Sequence, residues 1–552
     1  MSIRFSIQKI TLGLLLFYAF SFIFRTDNSF DQDLGRHIKL GEIILQTHAV
    51  PKTNLFSYTF PDFPFINHHF LFEVLVFLGQ QYLGLTALLI LKILILLLTI
   101  YLTLSLVEKK FLPLLLPLGF LFLHDIRERV ELRPEIFSFL LTVITLKILD
   151  RFKTDNTKLI YFLPLIQLIW VNSHIYFPVG FIIQTIYLAD FLWSQEFTKF
   201  KKLAIIFIIS ILISLLNPNS LNGLLYPLTV FGNYGYQIVE NQNMFFLEKI
   251  GFTDHNFLFV KFSIIIIFLS FLIGYLRKSL NLKNILLALS GLGLALLHVR
   301  SFPYLALLSL PAVIQNFGPL KFNPRWTLLW IITAILLFYE SLTYLNVNYY
   351  LYTLSDRQVE IAFNQHGSQA LDFLLKTKLP GQIFNNFDIG SYIFYRAYPN
   401  YPVFVDGRPE AYPQQFFSEE YILAQSNPDK FNELAKKFNF QTIIFSHTDQ
   451  TPWAKQFLKA ITKNPDWWTV YLDDFMIILV KSGQADKLKL RPLVLEKITP
   501  EEFNFPNNVS YLRLALFLQT LNYTESSQLF FQRSIMNFPD SPILSPSSSI
   551  WW

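Results

Sequence analysis

Residues 31–51 read DQDLGRHIKLGEIILQTHAVP. They follow an apolar run, about residues 8–24, that begins a first membrane crossing. From Leu34 to Leu45 the apolar residues Leu34, Ile38, Leu40, Ile43, Ile44 and Leu45 fall at helical spacing, which predicts a helix lying along a membrane surface with one greasy face. Asp33 sits in its first turn, where a carboxylate suits the helix dipole. His37 is one turn further on the same face, and Asp31 is in the preceding turn. Three readings are open for these residues: a general base for an incoming hydroxyl, a divalent-cation site for Mg or Mn beside a phosphate leaving group, or a capping aspartate with a loop partner.

The rest of the chain places this stretch. Of 552 residues 53% are hydrophobic and 15% charged, with 59 phenylalanines, against about 25% charged in soluble domains. That composition is a polytopic membrane protein. The net charge of +6 resides mostly in short loops, so it reads as a topology signal and excludes a nucleic-acid surface. There are no cysteines, so disulfides and thiol catalysis are excluded. Arg4 and Lys9 ahead of the first apolar run resemble a signal peptide, but no small-residue cleavage site follows, and the segment is expected to be retained as an anchor.

Further spans read at about 84–106, 111–123, 136–149, 159–171, 175–193, 203–216, 258–276, 284–297, 302–315 and 326–345. With the N-terminus in the cytoplasm, one set of loops carries Lys109 and Lys110; Arg151, Lys153 and Lys158; Lys199, Lys201 and Lys202; Arg277, Lys278 and Lys283; Lys321 and Arg325. This is the positive-inside pattern. It leaves the 25–83 loop, HDIRERVELRPE (124–135), VNSH (171–174), NPNSLNG (217–223), HVRS (298–301) and everything after about residue 346 on the outer side. Polar residues at span ends are often plain interface anchors. Arg127, Arg129, Arg133 and Arg300, however, lie on the face where arginine is disfavoured. Three of them are interleaved with Asp125, Glu128, Glu131 and Glu135, which suggests a buried polar network able to grip phosphate oxygens.

Beyond the first helix, PKTNLFSYTFPDFPFINHHF (51–70) is extended, and a second amphipathic helix is expected from about 67 through Glu73 to 82. After about 362 strands and helices alternate, which predicts a small α/β sheet. PVFVDGRPEAY reads there as a strand ending in a polar turn. Asp406 and Arg408 would then stand at the strand edge where such sheets bind ligands, or form a structural ion pair. In the tail, Tyr511, Leu514, Ala515, Leu518, Ser527, Phe531, Ser534 and Pro539 have the spacing of one tetratricopeptide-like helical hairpin over 508–540. A single repeat must cover its face with the α/β domain or with a protein partner. The final SPSSSIWW reads as a loose end.

This layout resembles the GT-C superfamily of integral membrane glycosyltransferases, in which an acidic motif opens the first outer loop. It is also similar to a group of bacterial multispan proteins, through Asp31, Asp33, His37, Gly41, Pro51, Phe56–Ser57, Asn67–His68, Glu73, Arg133–Glu135, Asn172, His174, Asn217–Pro218, Gly381–Asn385, Gly390–Tyr392 and Asp406–Arg408. The sequence departs from that pattern at Asn54, at Gly35–Arg36 and at Phe65–Ile66. The resemblance implies a polytopic α-helical protein of the plasma (inner) membrane with about eleven spans, over residues 1–345. An extracytoplasmic α/β domain (346–482) and a linker with a helical tail (483–552) would follow. It implies transfer of a sugar from a polyprenyl-phosphate donor to a glycan, lipid or protein on the outer face. Asp31 or Asp33 would be the base or hold a cation. Arg129, Arg133 and Arg300, with Glu135, would surround the lipid phosphate. His37, His68, His174 and Asn172 would meet the sugar. A non-catalytic assembly protein and a transporter of lipid-linked saccharides are the alternatives. The transporter would need polar residues in the inner half of the bundle, which is nearly bare.

Overall fold

The computed structural model describes residues 2–108, 111–230, 234–252, 254–319, 323–352, 357–505 and 507–537. Lys109, Lys110, Lys321, Pro539 and the terminal SPSSSIWW lie outside them. A helix covers each stretch read above as a span, from Ser2–Ile23 to Pro324–Tyr344. Among the described residues three helices are long and apolar enough to cross a bilayer: Leu85–Leu104, His255–Leu276 and Pro324–Tyr344. Ile7–Ile23, Lys158–Ser173, Pro178–Trp193 and Leu282–Leu297 are apolar and shorter.

Local chemistry explains these helices. Leu85–Leu104 is an unbroken run of Leu, Ile and other helix-compatible residues. Its Thr99 and Thr103 hydroxyls bond back to the carbonyls of Ile95 and Thr99, so they cost little in an apolar setting. Asp254, Asn281 and Asn323 cap the helices that follow them by accepting from Asn256, Lys283 and Trp326 backbone N–H groups. At the end of the bundle away from the polar cavity, Lys153 pairs with Asp190 and Lys283 with Asp150.

The first loop starts with a π-helical turn, Phe30–Leu34, and continues as the helix Gly35–Thr47. The second loop helix is Phe70–Leu83, three residues later at its start than the sequence suggests. The two helices touch at Gly41, where a side chain would collide with the backbone carbonyl of Glu73. This close approach is why glycine stands there.

The α/β unit carries a four-stranded sheet: β1 (Ile383–Asn385), β2 (Thr442–Ser446), β3 (Trp467–Leu472) and β4 (Met476–Lys481), in the order β1-β2-β4-β3. β1 and β2 are parallel, and β4 is antiparallel to both its neighbours. Phe384 anchors its core, with ring centroids 5.0–5.2 Å from Phe404, Phe431, Phe440 and Phe457. One expectation is corrected. PVFVDGRPEAY does not join the sheet. The side chain of Asn385 brackets it instead, accepting from Phe404 N at 2.9 Å and donating to Val405 O at 2.7 Å. Val403 pairs with Ser57 of the first loop.

The tail forms a helical hairpin, Asn508–Thr520 and Thr524–Asn537. Tyr511, Leu514, Leu518 and Phe530 are buried in the same core as Phe457 and Ile477, and Phe517 stacks on His447 with centroids 4.4 Å apart. Of the two covers left open for this hairpin, the α/β core is the one it packs on.

Candidate functional site

Polar segments hundreds of residues apart meet at one end of the bundle, around a cavity of about 980 Å³. Its walls come from the first loop, the 128–135 loop, the end of the helix before His174, the 230–254 connection, Val299–Arg300 and the α/β unit. Of the residues singled out in the sequence, Asp33, His37, His68, Arg129, Arg133, Glu135, His174 and Arg300 line it.

The arginines converge on one carboxylate. Arg133 Nη1 donates to both oxygens of Glu240, at 2.9 and 3.0 Å. Arg129 Nη1 is 2.9 Å from Glu240 Oε2, and Arg300 Nη2 is 3.5 Å from the same oxygen. Burial opposes the charge on Glu240, but Arg129, Arg133 and Arg300 hold its pKa far below the carboxylate range. Arg133 also donates from Nη2 to Gln32 at 3.1 Å, while its Nε makes no hydrogen bond.

Asp33 belongs to this cluster. Its Oδ1 accepts from Arg36 Nη2 at 3.0 Å, and its Oδ2 is 3.6 Å from Arg133 Nε. Burial again opposes ionisation, and Arg133 and Arg36 outweigh it, so the pKa is lowered. Beside the arginines stand four imidazoles. Each is anchored through Nδ1: His37 to Glu73 at 3.1 Å, His68 to Ile66 O at 3.1 Å, His69 to Ser173 O at 3.2 Å and His174 to Ser138 Oγ at 2.7 Å. His37 and His69 rings, and His69 and His174 rings, are 5.4 and 5.5 Å apart. Burial, reinforced by Arg36, pushes His37 down to about 3, and burial pushes His68 down to about 4. Both are neutral at physiological pH and present an unprotonated ring nitrogen as acceptor.

Four nominated residues are elsewhere. Asp31 is buried on the other side of the π turn, where its Oδ2 accepts from His366 N at 2.9 Å and faces His366 Nδ1 at 3.0 Å. Residues two apart on a helical turn point to different sides, so the acids of D-x-D part company. The pair does not fit a shared cation: one member faces guanidiniums and the other an imidazole. No group of three or more His, Asp or Glu among the described residues is arranged to hold a metal ion. Asn172 ties helix ends together through Leu168 O and Leu216 O. Asp406 and Arg408 form a buried pair, at 2.8 and 2.6 Å. Arg408, 1% exposed, lies 4.9 and 4.8 Å from the ring centroids of Phe56 and Phe65 and donates to Asn54 at 2.7 Å. This replaces the ligand-edge reading with a rivet between the first loop and the α/β unit.

Sequence reading missed Glu240, His69, Asp388 and Asp449, all on the cavity wall. Glu240 had a signal: it is the only acid between residues 217 and 247 of a connection otherwise rich in apolar and amide residues.

Neither a protein-family profile nor a curated protein matches the sequence. Solved structures do match. An archaeal oligosaccharyltransferase, AglB from Archaeoglobus fulgidus, in complex with an inhibitory peptide and a dolichol-phosphate, superposes with a TM-score of 0.57 at 12% identity over 98% of this chain and 87% of that one. A crystal structure of the A. fulgidus enzyme tethered to an acceptor peptide containing the NVT sequon gives 0.56 at 13% identity, over 81% and 70%. The chain therefore shares its fold with these archaeal oligosaccharyltransferase structures.

Proposed function

We propose that this protein is a glycosyltransferase that takes a sugar from a polyprenyl-phosphate carrier at the extracytoplasmic face of the plasma membrane. The observation that carries the reading is the convergence of Arg129, Arg133 and Arg300 in a cavity at the end of an apolar bundle. These three arginines share the carboxylates of Glu240, Asp33, Glu131 and Glu135, and their planar guanidiniums suit phosphate oxygens. The structurally similar archaeal enzyme, which binds a dolichol-phosphate, supports a lipid-borne donor.

The chemistry follows from the wall. As the bond from the anomeric carbon to the phosphate oxygen breaks, negative charge grows on the phosphate. Preplaced guanidiniums stabilise it most where water is scarce. The neutral imidazoles of His37, His68, His69 and His174 hydrogen-bond the sugar hydroxyls and set the anomeric carbon over the acceptor. Asp33 holds Arg36 and Arg133 in place. Transfer of labelled sugar from a panel of undecaprenyl-phosphate sugars in proteoliposomes tests this. Turnover that falls about 100-fold or more in Arg129→Gln and Arg133→Gln supports it, and wild-type turnover in both variants rejects it.

A further inference from the structure

The first-loop and arginine-loop carboxylates on or near the cavity are already engaged. Asp33 is paired with Arg36 and Arg133, Glu240 with three arginines, Glu128 and Glu131 with Arg357, and Glu135 lies 3.8 Å from Arg129. Asp388 differs. It stands in the first turn of the helix Phe387–Ala397, directly after β1, and opens onto the cavity from the α/β unit. Among the described residues no cation pairs with it. Its charged neighbours are Asp449, on the loop after β2, and Asp33. Asp449 is fixed by Asn386 Nδ2 at 3.3 Å and Thr451 N at 3.0 Å.

A second observation marks this cavity as a ligand site. Arg133, 8% exposed, lines it with an Nε–H that makes no hydrogen bond, its nearest carboxylate oxygens on Asp33 and Glu131 being 3.6 Å away. A buried N–H without a hydrogen bond is costly and is what an incoming phosphate oxygen would satisfy. The α/β wall offers different chemistry: the carboxylates of Asp388 and Asp449 and the polar side chains of Thr448 and Gln450, with Tyr236 of the 230–254 connection packed on Phe387, ring centroids 4.4 Å apart. Acceptors for O–H groups beside an aromatic side chain suit a polyhydroxyl ring.

We infer that this wall seats a sugar-type, hydroxyl-bearing acceptor and that Asp388 is the catalytic base that takes its proton. The inference rests on the proposed function. In the step, the acceptor oxygen forms a bond to the anomeric carbon, the bond from that carbon to the phosphate oxygen breaks, and the lipid phosphate leaves with the electron pair. The acceptor's proton goes to the Asp388 carboxylate. Asp388 is open to the cavity; the surrounding walls and the negative charges of Asp449 and Asp33 raise its pKa, the direction a general base needs, whereas the arginines hold Asp33 low.

The test uses the full chain in proteoliposomes with undecaprenyl-phosphate sugars as donors. Methyl glycosides and an Asn-X-Thr peptide compete as acceptors, and undecaprenyl phosphate binding is measured in parallel. Asp388→Asn should lower kcat for methyl glycosides about 100-fold, with undecaprenyl phosphate affinity within about twofold of wild type; that retained binding shows the variant folded. Wild-type kcat in Asp388→Asn overturns the base assignment and leaves the phosphate clamp standing. Preference for the peptide overturns the acceptor class. Wild-type protein that neither binds undecaprenyl phosphate nor turns over any donor removes the function and this inference together.

Discussion

The carboxylate of Glu240 sits on the guanidinium of Arg133, with both oxygens within 3.0 Å of one nitrogen. It occupies the place where the arginines would meet a phosphate, so the 230–254 connection and the ligand compete for one set of donors.

Glu240→Gln should therefore bind undecaprenyl phosphate about tenfold more tightly, because the competing charge is gone. Without ligand the variant should unfold at a lower temperature, since three guanidiniums lose their counter-charge. With Glu240 28% exposed, the loss is about 1–3 kcal/mol after discounting for solvent. Added lipid phosphate should raise the variant's Tm more than the wild type's. Thermal unfolding in detergent with and without lipid checks both.

Asp31 and Asp33 should separate in a transfer assay. Asp33→Asn frees Arg36 and Arg133 to reorient and should cost about tenfold or more in turnover. Asp31→Asn faces His366, outside the cavity, and should keep turnover within about threefold of wild type. Equal losses in the two variants would restore the acidic pair as one unit.

Arg408 predicts stability. Arg408→Ala leaves Asp406 buried and unpaired and should cost about 3–5 kcal/mol, seen as a lowered Tm and as proteolysis of the α/β unit. Arg408→Lys should recover only part, because a lysine cannot reproduce the two-nitrogen grip on Asp406 or lie flat between Phe56 and Phe65.

The imidazoles set an acid limit. His37 and His68 have folded-state pKa values of about 3 and 4, below the ordinary 6.5. The unfolded chain thus binds more protons than the folded one between pH 6.5 and about 4, and stability falls as pH drops through that window. Denaturation midpoints from pH 8 to 4 should fall in wild type and fall less steeply in His68→Gln. Asp388, with Asp33, Asp449, Tyr236 and Tyr421 around it, should give turnover a rising limb above the ordinary carboxylate range that is absent in Asp388→Asn.

Much of this architecture was legible in the sequence, for local reasons. Long apolar runs and their basic loops located the bundle helices, and β1, β2 and the helices between them followed from period and punctuation. The arginine loop stood out because arginines at a bilayer margin need partners. The failures share a cause: side chains act over distances that spacing does not encode. Asn385 takes the hydrogen bonds that 403–405 would have given a neighbouring strand. A π turn sends Asp31 and Asp33 apart. Asn54, where the sequence departs from the pattern of the similar multispan proteins, is explained by its two bonds, one accepted from Arg408 and one donated to Ala411 O; an acid there would lose the second. Glu240, though the lone acid between residues 217 and 247, was passed over because the arginines it joins lie about a hundred residues before it and sixty after.

The central claim is that Arg129, Arg133 and Arg300 form one receptor for a lipid-borne phosphate. Titration of undecaprenyl phosphate into the purified protein in nanodiscs tests it most directly. Saturable binding in wild type that weakens about tenfold or more in Arg133→Gln is the predicted result; equal affinity in the two proteins would contradict the account.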